Sequence, residues 1–163
     1  MHLDEHNLMR SAAHLRTSLG IGYAPEDRVI FPTLSVQENL ELPCEILQLS
    51  SQEVEERLAH VLDVVPQLKP MLSRSGAALS GGQGKMVALG RALMVGSAIV
   101  LLDEPFQGLA PALALQYSEA LGRLRTSRPD LSVVITESNS ALLTDIPNQI
   151  LTIERGSFVE AIH

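Results

Sequence analysis

Two stretches of this 163-residue sequence hold residue types whose spacing suits chemistry. The first is Leu79-Ser80-Gly81-Gly82-Gln83. Ser80 with Gln83 three residues on is a capping box, so a helix opens here with its first N–H groups outward. Gly81 and Gly82 lack a Cβ, which lets those N–H groups close on an anion, and a helix N-terminus favours negative charge; the turn suits phosphate. The second is Asp103-Glu104, directly after Ala98-Ile99-Val100-Leu101-Leu102. That β-branched and aliphatic run reads as a strand buried on both faces, and open α/β sheets place ligands beyond the carboxyl ends of their strands. One carboxylate can hold Mg²⁺, directly or through water, while the next orients or deprotonates a water attacking a γ-phosphate. Each stretch alone also has a plainer reading, a capped helix start in one case and a solvated strand end in the other.

The elements around them follow from pattern. A helix runs from the Ser80 cap to near Gly96, linking the glycine turn to the acidic strand. Pro111 to Thr126 reads as a helix, with Pro111 in its first turn and Pro129 after it, and Leu131 to Thr136 reads as a second apolar strand. Strand, helix and strand form a parallel unit. Gln149 to Glu154 and Ser157 to Ala161 pair across Arg155-Gly156 as a closing hairpin. Upstream, Gly20 to Tyr23 leads through Pro25 into a loop that reaches Thr33. Ser35 with Glu38 and Ser50 with Glu53 are two further capping boxes, and Pro43 is expected to end the first of these helices early. Val54, Leu58, Val61, Leu62 and Val65 recur at helical spacing before Pro66, so residues 35 to 75 read as a small helical subdomain.

Composition narrows the class. The chain is 45% hydrophobic with a net charge of −7, which fits one globular domain and argues against a grip on nucleic acid or an anionic membrane. No apolar run reaches the roughly 18 residues of a membrane span, and MHLDEHNLMR lacks the apolar core of a signal peptide. The single cysteine, Cys44, can form neither an internal disulfide nor a zinc cage, so it reads as an inert, partly buried thiol in a cytosolic chain. His2, His6, His14, His60 and His163 show no metal-ligand spacing, and Glu53 to Glu56 reads as a solvated helix face.

LSGGQ, the intervening helix, VLLDEP and then Gly108-Leu109-Ala110-Pro111 occur in one order. In that order they resemble the nucleotide-binding domain of ABC transporters, with LSGGQ as the signature, VLLDEP as the Walker B strand and GLAP as the D-loop. The resemblance covers nearly the whole chain and implies an α/β fold, a partial P-loop NTPase core with a helical subdomain and a C-terminal β-hairpin. It divides the sequence at about residues 35–90, the helical subdomain with the signature, and about 97–163, the core with Walker B. GIGYAPEDRVIFPTLSVQENL and DEPFQGLAP look most like the ATP-binding subunits of importers for branched-chain amino acids, urea or short amides.

The resemblance implies ATP and Mg²⁺ as cofactors. It implies that Ser80, Gly81, Gly82 and Gln83 contact the γ-phosphate of ATP held mainly by a second ATPase subunit, in a homo- or heterodimer. It implies that Asp103 organises Mg²⁺, that Glu104 is the general base and that Gly108, Leu109, Ala110 and Pro111 lie across the dimer interface. Membrane permease subunits are the further partners, which places the chain at the cytoplasmic side of the membrane, and Arg28 to Leu42 would lie near the permease. Phe31 and Pro32 read equally as anchors for that contact or as core.

Three positions depart from the pattern. Glu26 stands where the loop glutamine is common, a substitution the branched-chain group shares. Ser138 stands where a switch histidine is expected, and a hydroxyl is a weaker phosphate sensor than an imidazole. Gly84, inside the signature helix, costs roughly 1 kcal/mol relative to Ala, with no reason visible in the sequence.

No G-x-x-x-x-G-K-[ST] motif occurs in the 163 residues, and Gly82-Gln83-Gly84-Lys85-Met86 does not supply one. The resemblance aligns MHLDEHNLM with the strand and turn after the P-loop helix. The strands ending near Tyr23 and Asp103 are therefore expected to show bare edges or apolar faces, and these residues alone are expected to bind Mg·ATP weakly or not at all. Two other readings stand beside the transporter ATPase: a soluble ABC ATPase without a transporter, and a non-catalytic chain that lends its signature to a complete ATPase.

Overall fold

The structure, a computed structural model, describes residues 2–3, 5–143 and 146–159. A short antiparallel pair, β1 (His2–Leu3) with β2 (His6–Asn7), precedes β3 (Ile21–Ala24). Three helices follow, α1 (Val36–Ile46), α2 (Ser51–Val64) and α3 (Gly81–Val95). Then come β4 (Ile99–Asp103), α4 (Pro111–Ser127) and β5 (Ser132–Thr136), and last the antiparallel hairpin β6 (Thr152–Glu154) and β7 (Ser157–Val159). The central sheet runs β3-β4-β5, all parallel, as the strand, helix, strand pattern requires. Arg155 and Gly156 both take positive φ in the closing turn, the twist a two-residue hairpin needs. Ala161, placed in the hairpin by its pattern, lies outside the described residues, as does His163.

All three capping boxes form as read: the Ser35, Ser50 and Ser80 hydroxyls accept from the N–H three residues on, and Glu38, Glu53 and Gln83 reach back to the cap. Pro43 does not end α1, which continues to Ile46 around it. Its ring removes one helical hydrogen bond, but Leu40 and Cys44 on the same helix are completely buried, and that burial outweighs the loss. Cys44 is correspondingly a core residue rather than a partly buried one, and burial raises its thiol pKa.

α3 is the centre of the molecule. Most of its residues are buried, and they join Val36, Leu40, Val61 and Leu68 on one side and Ala24, Val100 and Leu102 of the sheet on the other. Tyr117, Ala120, Leu121 and Leu124 of α4 complete the same core. β3 approaches α3 so closely that a Cβ on Gly22 would lie 2.1 Å from the Ala92 carbonyl oxygen.

β4 is not buried on both faces as its apolar run suggests. Val100 and Leu102 point into the core, whereas Ile99, Leu101 and Asp103 remain half-exposed. Helices cover only one face of the sheet among the described residues. On the other, Tyr23, Leu101 and Val134 line up in one row, with Tyr23 52% and Val134 48% exposed. Among the described residues β3, as expected, and β5 are both bare edges, whereas β4 is paired on both sides. Among the described residues no helix is long and apolar enough to cross a membrane.

Candidate functional site

The carboxyl ends of three parallel strands converge at one edge of the sheet, and the turns leaving them carry the polar residues. Asp103 closes β4, and each of its oxygens accepts a hydroxyl: Thr136 at the end of β5 donates to Oδ1 at 2.6 Å, and Tyr23 near the end of β3 donates to Oδ2 at 3.2 Å. The bond to Asp103 and partial burial raise the Tyr23 pKa, with burial the larger cause. Tyr23 and Thr136 carry no motif, and only the register that puts β3 and β5 beside β4 exposes their role.

Glu104 follows with φ +45°, a left-handed conformation that costs a non-glycine residue energy and persists only where neighbours hold it. Its N–H donates to the Thr136 carbonyl at 3.0 Å, and its own carbonyl accepts from Gln107 N–H at 3.2 Å and from the Lys85 ammonium. Oε2 accepts from both the N–H and the hydroxyl of Ser138. The position expected to sense phosphate is therefore in contact with the candidate base.

Glu137 sits beside them. Its carboxylate accepts from the N–H groups of Asn139 and Phe106 at 3.2 and 3.4 Å, which favours the charged form, but burial and the adjoining Glu104 carboxylate win and raise its pKa. Glu26, in the loop after β3, is exposed, and its charge reaches Lys85.

The glycine turn opens α3, the helix whose Lys85 reaches the Glu104 carbonyl. Ser80 Oγ accepts from Gln83 N–H at 3.3 Å, and Gln83 Oε1 accepts from Ser80 N–H at 3.0 Å. The N–H groups of Gly81 and Gly82 have no partner among the described residues, leaving two donors at a positive helix end. Gly108, at φ +70° with open space around it, starts the segment that leads into α4. Gly108, Ala110 and Pro111 are exposed, while Leu109 and Leu113 pack on Gly82, where a Cβ would come within 2.3 Å of Leu113 Cδ1.

The structure gives Gly84 one close neighbour, the exposed and flexible side chain of Arg28, which does not by itself require glycine. The Arg28 side chain lies across the first turns of α3, and a Cβ on Gly84 would meet Arg28 Cδ at 3.3 Å. Arg28 and Val29 take positive φ, and Arg91 holds them there by donating to both of their carbonyls, at 3.1 and 2.7 Å. Phe31 is not core: it stays 43% exposed with the Arg91 guanidinium 5.9 Å from its ring, and Asn39 clamps its backbone through N–H and carbonyl.

Among the described residues no group of three or more His, Cys, Asp and Glu could hold a metal ion. A single carboxylate ringed by hydroxyl oxygens still fits Mg²⁺, a hard cation that keeps waters and takes substrate phosphates as ligands rather than an all-protein cage. The free N–H groups of Gly81 and Gly82 fit a phosphate in the same way.

A family model described as ABC transporter matches residues 1–107. A probable branched-chain amino acid transport ATP-binding protein, LivF of Archaeoglobus fulgidus, is 31% identical over 143 residues, which are 88% of this chain and 59% of the relative. The high-affinity branched-chain amino acid transport ATP-binding protein BraG of Pseudomonas aeruginosa is 32% identical over 91% of this chain and 61% of its own length. The lipopolysaccharide export system ATP-binding protein LptB of Escherichia coli is 33% identical over 84% of this chain and 56% of its own. The chain thus spans about three fifths of the length of these relatives. A crystal structure of the ADP conformation of an ATP-binding cassette of an ABC transporter superposes with a TM-score of 0.74 at 21% identity, over 97% of this chain and 66% of that one, a likeness of fold.

Proposed function

The chain belongs to the ABC transporter family, and from that premise we propose that it forms the signature and Walker B part of an ATP-hydrolysing subunit of an importer for branched-chain amino acids or related solutes. The observation that carries this reading is the packing of α3, which opens with the free N–H groups of Gly81 and Gly82, against the turn after β4 through the Lys85 bond to the Glu104 carbonyl, with Asp103 and Glu104 on that turn. In this reading Ser80, Gly81, Gly82 and Gln83 hold the γ-phosphate of ATP seated on a second subunit. Asp103 holds Mg²⁺, which when bound neutralises phosphate charge, and the Thr136 and Tyr23 hydroxyls keep the carboxylate aimed. Glu104 accepts the proton of the attacking water at its carboxylate. Ser138 steadies that carboxylate, and Glu26 adds negative charge at the loop after β3.

Residues of about 35–90 act as the helical subdomain that presents the signature, and about 97–163 as the core that presents Walker B. The exposed Gly108, Ala110 and Pro111, with Leu109 against the signature turn, face the second subunit. Exposed Val29 and Phe31, on a loop held rigid by Arg91 and Asn39, suit docking on permease subunits at the cytoplasmic face. The branched-chain assignment draws on LivF and BraG, and export relatives such as LptB are the competing class. Uptake of labelled leucine, isoleucine and valine in a gene deletion tests it. The reading predicts reduced uptake, restored by the wild-type gene and not by Glu104→Gln; uptake equal to the parent strain rejects the importer assignment.

A further inference from the structure

Among the described residues Asn39 and Lys85 are the polar or charged residues that are buried. Asn39 is accounted for by its bonds to the loop at Phe31. Lys85 is 9% exposed, in a helix whose neighbouring residues are apolar, and an ammonium there sits in an unfavourable place unless it has a task. Its side chain makes one hydrogen bond, to the carbonyl oxygen of Glu104.

We propose that Lys85 is a positioning residue for Glu104: by holding the Glu104 carbonyl it fixes the left-handed turn that aims the carboxylate, and it ties that turn to the helix opened by Ser80. The inference rests on the reading of Glu104 as the base. Two features of the site carry it. Glu104 has φ +45°, so its backbone needs external restraint, and Gln107 N–H on the same carbonyl comes from within the same turn. Lys85 is the side chain that reaches this carbonyl from another element, two residues after Gln83 of the phosphate-binding turn. Loss of the bond leaves the turn with the Thr136 carbonyl on Glu104 N–H and is expected to loosen the carbonyl side of Glu104, and with it the contact from Ser138 to Oε2. Burial first and then Arg28 disfavour the ammonium, while Glu137, Glu26 and Glu104 attract it.

Amide hydrogen exchange in the full chain tests this without nucleotide. Lys85→Met keeps length and removes the donor, and Lys85→Arg keeps a donor. The expected result is at least tenfold faster exchange at the Glu104 and Ser138 amides in Lys85→Met, with α1 amides unchanged and near wild-type exchange in Lys85→Arg. Unchanged exchange at both amides, or acceleration shared equally by α1, overturns the proposal. Lys85→Gln gives the same comparison if Lys85→Met does not fold. ATPase assays of the full-length gene product separate the two claims. If Glu104→Gln leaves turnover intact, the base reading fails while the exchange data still decide the role of Lys85. If Glu104→Gln abolishes turnover and Lys85→Met does not lower kcat, the positioning role fails alone.

Discussion

Ser138 reaches Glu104 twice, its hydroxyl and its backbone N–H donating to the same oxygen, Oε2, at 3.1 and 3.2 Å. Ser138→Ala removes the side-chain bond and leaves the backbone one. A hydrogen bond to a charged group is worth about 1.5 kcal/mol, so kcat of the full-length gene product should fall roughly tenfold with little change in thermal midpoint. Equal kcat in the alanine variant would show that the hydroxyl does not steady the base.

Glu137 gives a pH signature. Burial first, and then Glu104, raise its pKa above the ordinary 4.5, so the folded chain binds this proton more tightly than the unfolded chain does. The stability it contributes is complete below the unfolded pKa and is lost as pH rises through the raised one. Glu137→Gln removes that loss. Urea denaturation at about pH 4 and about pH 8 should show the variant gaining on wild type at the higher pH. An identical difference at both pH values contradicts it.

The contact of β3 with α3 leaves no room for a methyl group at Gly22, since the obstacle is the Ala92 backbone carbonyl rather than a movable side chain. Gly22→Ala should cost about 3 kcal/mol of stability, read as a lower urea midpoint. A loss within about 0.5 kcal/mol would mean that the strand and helix sit further apart than described.

Much of this arrangement was legible in the residues themselves. Capping boxes at Ser35, Ser50 and Ser80 set three helix starts because each cap is a local hydrogen-bond pattern. The order of β4, α4 and β5 followed from apolar period and prolines. Pro43 misled because its cost is local, whereas the burial of Leu40 and Cys44 that overrides it comes from distant chain. β4 misled in the same way, since an apolar run does not say whether a second layer is present to cover it. The place of Asp103 and Glu104 at the end of β4 was legible from the strand that delivers them. Their supporting groups were not, because Tyr23, Lys85 and the Thr136-Glu137 pair belong to three separate segments, β3, α3 and the end of β5, and meet only when the sheet registers. Lys85 did leave a trace, a charge early in a mostly apolar helix that carries one other, Arg91.

β5 is a bare edge strand, and Val134 is exposed on the uncovered face in the row of Leu101 and Tyr23, so this surface is expected to pair with other chains. Sedimentation should show concentration-dependent association of the 163-residue chain, reduced by Val134→Lys. A monomer at all concentrations, unaffected by the lysine, contradicts this.

Steady-state ATP hydrolysis by the full-length gene product, wild type against Glu104→Gln, tests the account at its centre. A general base contributes on the order of 10²–10⁴ in rate, so the glutamine variant should lose at least about a hundredfold in kcat while KM for Mg·ATP changes little. Turnover equal to wild type would contradict the assignment of Glu104, and with it the reading of this sheet edge as a hydrolytic site.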